Sequence, residues 1–205
     1  MGKLTGKSNF LKFDTSFNND GNKLKTVEAY SYDLQFRRSQ AYNIRNMNAS
    51  AVGKKYSVAE KAYLAGLIDG DGAIMAIIEP HSEKKFRFRV RIEFKITQKD
   101  RKSLEFIPKT FGCGSIRTSK RDVSDWITRD QKEIARILLL IKPYSKMKQK
   151  QINLAMKIIG TSIKKRSDLL RVARLADALS RFNVRSKNRR KNHVSMIQKY
   201  FSPND

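Results

Sequence analysis

Two aspartates separated by a single glycine, in the run Asp69-Gly70-Asp71-Gly72, are the residues of this chain best suited to chemistry. A calcium loop of the EF-hand type is one reading of this run. Such a loop needs a bidentate Glu at its twelfth position; counted from Asp69, that position is Pro80. The calcium loop is therefore excluded. Just upstream, Ala62, Gly66 and Gly70 recur every four residues, so one face of a helix here is nearly bare and lets another backbone come close. An ordinary buried helix with small residues would carry the same stripe, but the Asp-Gly-Asp-Gly end favours a partner helix. Only one copy of the pattern is present, so the partner comes from a second copy of the chain, giving a twofold homodimer with Ala62, Gly66 and Gly70 at its interface. Asp71 would then face its symmetry mate, and two carboxylates brought together repel unless a cation neutralises them. Mg²⁺ is the expected cation, with Mn²⁺ as a substitute. It takes oxygen ligands, keeps several waters, stabilises a leaving oxygen and lowers the pKa of an attacking water.

These groups need elements to hold them. Ser57-Val58-Ala59-Glu60 has capping-box spacing and predicts a helix start. That helix ends at Asp69-Gly70-Asp71-Gly72, where glycines are expected to adopt backbone conformations closed to other residues. A β-branched, apolar stretch from Ala73 to Glu79 follows, closed by Pro80, and Phe86 to Thr97 alternates as a strand. Phe86, Phe88, Val90, Ile92, Phe94 and Ile96 lie on one face; Arg87, Arg89, Arg91, Glu93 and Lys95 lie on the other. At about 3.3 Å per residue this strand is about 40 Å long, comparable to one turn of B-DNA. Four cations on one strand face repel one another without a polyanion; the alternative is a merely solvated face. A helix from about Asp100 to Phe111 leads through Gly112-Cys113-Gly114 to strands at Ser115–Thr118 and Asp125–Thr128, then to helical patterns at Gln131–Ile141, Ser145–Ile159 and Ser167–Phe182. Pro143 separates the first two.

Organised structure is thus expected over residues 55–183. Residues 1–54, rich in Asn, Lys and Tyr with an amphipathic stretch from Thr26 to Arg45, form a basic, partly disordered arm or an extra clamp on nucleic acid. Residues 184–205 form a basic tail whose Lys187, Arg189, Arg190 and Lys191 suit phosphate contacts without base specificity.

The charge balance names the partner. Against 44 Lys and Arg stand only 19 Asp and Glu, a net charge of +25 over 205 residues, which opposes compaction unless a polyanion screens it. Nucleic acid fits this better than a membrane, since no apolar run approaches the roughly 20 residues of a spanning helix. Cys113 is the only cysteine and His81 and His193 the only histidines, which excludes an internal disulfide and leaves too few ligands for a structural zinc site. Met1 to Lys12 shows no secretory h-region. The Lys and Asn richness suggests an AT-rich genome and hence an organelle, chloroplast or mitochondrion.

The segment Leu64-Ala65-Gly66-Leu67-Ile68-Asp69-Gly70-Asp71-Gly72 resembles the LAGLIDADG motif at eight of nine positions, with Gly70 in place of Ala. The resemblance is to the single-motif branch of the homing endonucleases, encoded mainly in organellar and archaeal introns. It continues through Ile96-Thr97-Gln98-Lys99 and from Pro143-Tyr144 to Lys148-Gln149-Lys150-Gln151, covering roughly residues 56 to 195. It implies an α+β fold: an αββαββα core whose antiparallel sheet forms a saddle, with helices on one face and strands lying in the major groove. It also implies that Asp71 and the Gly70 carbonyl bind metal, that Gln98 and Lys148 organise water near the phosphate, and that Lys102 is a further basic residue of that network. The residues implied to face DNA are Met75, Ile77, Glu79 and His81 on the first strand, Arg87, Arg89, Arg91, Glu93 and Lys95 on the second, and Ser115, Arg117, Lys120, Arg121 and Asp125 beyond.

The activity so implied is metal-dependent hydrolysis of both strands of double-stranded DNA at a long pseudo-palindromic target, serving intron mobility. A maturase that binds intron RNA and a catalytically inactive DNA-binding regulator are alternatives on the same fold. The presence of Asp71, Gln98 and Lys148 together speaks against the regulator, which has no need of them.

Overall fold

A computed structural model describes residues 56–119, 122–183 and 192–202. The expectations for residues 1–54, and for Lys120, Arg121, Lys187, Arg189, Arg190 and Lys191, lie outside the described residues. Helix α1 (Val58–Asp71) begins with the capping box complete: the Ser57 hydroxyl accepts from the Glu60 amide at 3.1 Å, and the Glu60 carboxylate accepts from the Ser57 amide at 2.7 Å. Strands β1 (Gly72–Pro80) and β2 (Phe88–Gln98), helix α2 (Lys102–Phe111), strands β3 (Ser115–Thr118) and β4 (Ser124–Thr128), and helix α3 (Gln131–Ile141) complete the expected αββαββα order. Helices α4 (Gln149–Ile159), α5 (Arg166–Asn183) and α6 (His193–Phe201) follow. Helix α6 carries structure past residue 183, into the stretch expected to be tail; the Asn192 side chain caps it, the Asp177 carboxylate accepts from the His193 and Val194 amides, and Ile197 is fully buried.

The four strands form one antiparallel sheet in the order β1-β2-β4-β3. Directly opposed residues share a face, so the register sorts the side chains. Ile74 opposite Phe94, Ile78 opposite Val90 and Ile96 opposite Trp126 lie on the core side. Leu64 and Ile68 of α1, Ile134, Ile137 and Leu138 of α3, and Ile152 of α4 fill the same core. Met75 opposite Glu93, Ile77 opposite Arg91 and Glu79 opposite Arg89 lie on the other side, so the register implied for the first strand places these residues on one face with the arginines. Strand β2 outruns β4, whose pairing begins only at Phe94. Gln131 replaces the missing partner: its side chain accepts from the Ile92 amide and donates to the Ile92 carbonyl, both at 2.8 Å.

Three local expectations are corrected. Gly70 and Gly72 do not take left-handed conformations; Gly72 is extended, at φ −77° and ψ 145°. Its glycine identity is steric, because a Cβ there would lie 2.7 Å from the Ile68 carbonyl oxygen. Phe86 and Arg87 precede β2 instead of opening it, and Arg87 sits in a turn at φ 58° with its guanidinium on the Ser82 carbonyl at 2.6 Å. Helix α4 starts at Gln149, not Ser145, because the backbone amides of residues 146–148 are committed elsewhere.

Candidate catalytic and DNA-binding site

Successive residues of a helix are turned by about 100°, so Asp69 and Asp71 leave α1 on nearly opposite sides. Asp69 turns inward and is buried. Its carboxylate accepts the Ser145 hydroxyl at 2.6 Å and the amides of Lys146, Met147 and Lys148 at 2.6, 3.0 and 3.2 Å. Burial pushes this carboxyl up, but the Ser145 hydroxyl and the three amides together outweigh burial and hold it below the usual carboxylate range. The same turn returns the Lys148 ammonium to the Asp69 carbonyl oxygen at 2.9 Å. Burial lowers the Lys148 ammonium below the ordinary lysine value, against the opposing pull of Asp69 and Asp71.

Asp71 turns outward and is exposed. The Gln98 side-chain amide, at the end of β2, donates to its carboxylate at 2.6 Å. The end of α1, the end of β2 and the turn before α4 thus converge, bringing Asp71, Gln98 and Lys148 to one locus with the exposed Gly70 beside them. Lys102 is exposed at the start of α2, with its own amide on the Asp100 carboxylate at 3.0 Å. Among the described residues no group of three or more His, Cys, Asp or Glu side chains is disposed to hold a metal. Ala62, Gly66 and Gly70 are all exposed, with exposed Val58 and Tyr63 on the same helix, and a Cβ at either glycine would meet nothing within 4 Å.

The sheet face away from the core carries most of the residues expected to meet DNA, and they are paired with one another. The Glu79 carboxylate lies 3.8 Å from Arg89 and 3.3 Å from Arg91, and His81 touches the Arg89 guanidinium. Asp125 takes the Lys95 ammonium at 2.7 Å and the Thr97 hydroxyl at 2.6 Å. Burial raises the Asp125 carboxyl, but these two donors outweigh it and leave it low. Glu93 is buried under Arg129. The cationic face is therefore not a row of uncompensated charges. Ser115 and Arg117 are exposed on β3, Arg117 opposite Asp125; Met75 and Ile77 are half-buried.

The sequence expectations gave Asp69 no role distinct from that of the Asp-Gly-Asp-Gly run and gave none to Arg129 or Thr97. Helix periodicity was a usable signal for Asp69, since it turns the two aspartates of the motif to opposite sides. Arg129 and Thr97 carry no local signal, because their partners are set by strand register.

The family described as LAGLIDADG endonuclease matches residues 64–159. The DNA endonuclease I-CreI of Chlamydomonas reinhardtii is 38% identical over 107 residues, 51% of this chain and 65% of the relative, so the match spans slightly less than two thirds of that relative. The DNA endonuclease I-CvuI of Chlorella vulgaris is 30% identical over 120 residues, 57% of this chain and 74% of the relative. A solved structure of the homing endonuclease I-CvuI, in complex with the I-CreI target in 2 mM Mg with the DNA not cleaved, superimposes with a TM-score of 0.62 at 27% identity, covering 69% of this chain and 94% of that one.

Proposed function

Because the chain belongs to the LAGLIDADG endonuclease family, we propose that it is a homodimeric, site-specific homing endonuclease that hydrolyses both strands of a long, pseudo-palindromic double-stranded DNA target. The observation that carries this reading is the convergence of exposed Asp71, Gln98 on its carboxylate and the half-buried Lys148 beside a cationic sheet face. A regulator that only binds DNA would need the sheet face but not that convergence.

Asp71 and the Gly70 carbonyl offer hard oxygens, fewer than a divalent cation requires. That suits Mg²⁺, which keeps several waters and completes its shell with substrate phosphate. When bound, Mg²⁺, or Mn²⁺ in its place, lowers the pKa of an attacking water and stabilises the leaving oxygen. Gln98 fixes the Asp71 carboxylate and leaves its carbonyl oxygen free to orient water. Lys148 presents an ammonium held by the Asp69 carbonyl that would stabilise the charge developing on the phosphate. The second chain supplies the same groups for the second strand, through contact of the two α1 helices at Ala62, Gly66 and Gly70. Lys102 is assigned a supporting role at the outer edge of this network.

Residues 1–54 are read as an extension outside the nuclease domain. The Lys and Asn content supports an AT-rich organellar genome as the home of the gene, a reading that the base composition of the flanking DNA tests.

The test is cleavage of a plasmid library carrying pseudo-palindromic inserts, by the wild-type chain and by Asp71→Asn, with Mg²⁺ and with EDTA. Metal-dependent double-strand cutting by the wild type alone is the expected result. Tight, specific binding without cutting in Mg²⁺ or Mn²⁺ sinks the enzyme reading.

A further inference from the structure

Every cation that the outer face of β2 presents, namely Arg89, Arg91 and Lys95, lies against a carboxylate from a neighbouring strand. Salt bridges this exposed contribute little to stability; the Glu79, Arg89 and Arg91 side chains are 36%, 39% and 25% exposed. Each also cancels a charge that would attract any DNA. A surface built only to hold a polyanion gains nothing from such pairs. A surface built to discriminate gains, because a guanidinium held in one place can demand a particular base.

The pairing is densest at Glu79. Arg89 lies directly opposite it in the β1–β2 register and Arg91 two residues further along β2, and the one carboxylate reaches both guanidinium groups. His81, just past the end of β1, touches the other terminal nitrogen of Arg89, so that guanidinium is held from both ends. Arg91 spends one terminal nitrogen on Glu79 at 3.3 Å and its Nε is buried, which leaves the other terminal nitrogen, with the remaining hydrogen of the first, for a ligand. Two residues along a strand span about 6.6 Å and two base pairs of B-DNA about 6.8 Å, so a strand lying along the major groove offers the two arginines to positions two base pairs apart. Guanine, with adjacent N7 and O6 acceptors, is the base a guanidinium fork reads bidentately.

We propose that Glu79 is a positioning residue for specificity: it holds Arg89 and Arg91 as a pair that reads guanines two base pairs apart in each half-site. This rests on the reading of the chain as a site-specific DNA-binding enzyme. On it Glu79 does not itself contact a base, in contrast to the direct DNA contact implied for it by the family resemblance.

The test is selection from a randomised double-stranded DNA library with the full chain, followed by affinity measurements against salt on the selected sequence and on non-specific duplex, for wild type and Glu79→Gln. Wild type should select guanine at two positions separated by one base pair, symmetrically in both half-sites, with a penalty of roughly tenfold or more for replacing either. In Glu79→Gln that penalty should fall severalfold at both positions together, while non-specific affinity rises and its dependence on salt steepens. Arg89→Gln should erase one guanine preference and leave the other, which a general loss of fold would not do. Selection without such a guanine pair overturns the proposal, as does a Glu79→Gln variant with unchanged discrimination; failure of the wild type to select any sequence would instead overturn the underlying DNA-enzyme reading.

Discussion

Lys148 sits where the turn before α4 meets the end of α1. Its ammonium is half-buried with its proton on the Asp69 carbonyl oxygen at 2.9 Å, and burial lowers it below the ordinary lysine value in spite of Asp69 and Asp71 nearby. If the ammonium is the form that acts on the phosphate, cleavage declines as pH rises through this lowered value, that is, below the ordinary lysine pKa of about 10.4. Lys148→Arg keeps the charge at every accessible pH, so the alkaline limb of a single-turnover pH–rate profile should disappear in that variant even where its plateau rate is reduced. Persistence of the limb in the arginine variant would assign it to another group. Lys148→Met, which removes the charge altogether, should lower the cleavage rate about a hundredfold or more with DNA affinity little changed.

Between elements, the decisive tie is the one from the end of α1 to the turn that precedes α4. Four donors of residues 145–148 converge on the Asp69 carboxylate, and Asp69→Asn would remove the charge and set an amide N–H₂ against backbone N–H groups. Its cost should be about 3 kcal/mol in urea unfolding at neutral pH. The sign with pH follows from the lowered Asp69 pKa. Stability from this carboxylate is complete above the unfolded value of about 3.9 and is lost as pH falls through the lower folded value. The gap between wild type and variant should therefore narrow in acid; a gap independent of pH would mean that packing, not the carboxylate, holds the turn. The same tie explains what the sequence concealed. Apolar periodicity runs from Ser145 into α4, yet the helix waits until Gln149, because the first amides bond to a side chain 76 or more residues away. The cap that closes locally, Ser57 with Glu60, was readable because both partners lie within one turn.

For the whole molecule, the succession of helices and strands and the core face of β2 were legible from periods of two and of 3.6 residues, whereas the αββαββα core and its antiparallel sheet were implied by the family resemblance. Distant pairings were not legible: Glu79 with two arginines, Glu93 with Arg129 and Gln131 on the Ile92 backbone all depend on register, and α6 is anchored by Asp177 from the preceding helix. One chain carries one Asp71, so the proposed cutting of two strands would depend on assembly, and the exposed stripe of Ala62, Gly66 and Gly70 on α1 is where assembly is proposed. Gly66→Gln separates folding from association. Nothing lies within 4 Å of a Cβ at Gly66, and replacing glycine in a helix with a straight-chain residue favours the helix by up to about 1 kcal/mol, so the isolated chain should unfold no more easily than wild type. A long polar side chain at that point keeps a second backbone from approaching. Sedimentation should show the variant as a monomer at concentrations where the wild type is a dimer, and double-strand cleavage should be lost along with the dimer. A variant that still dimerises and cuts both strands would move the interface off this face of α1.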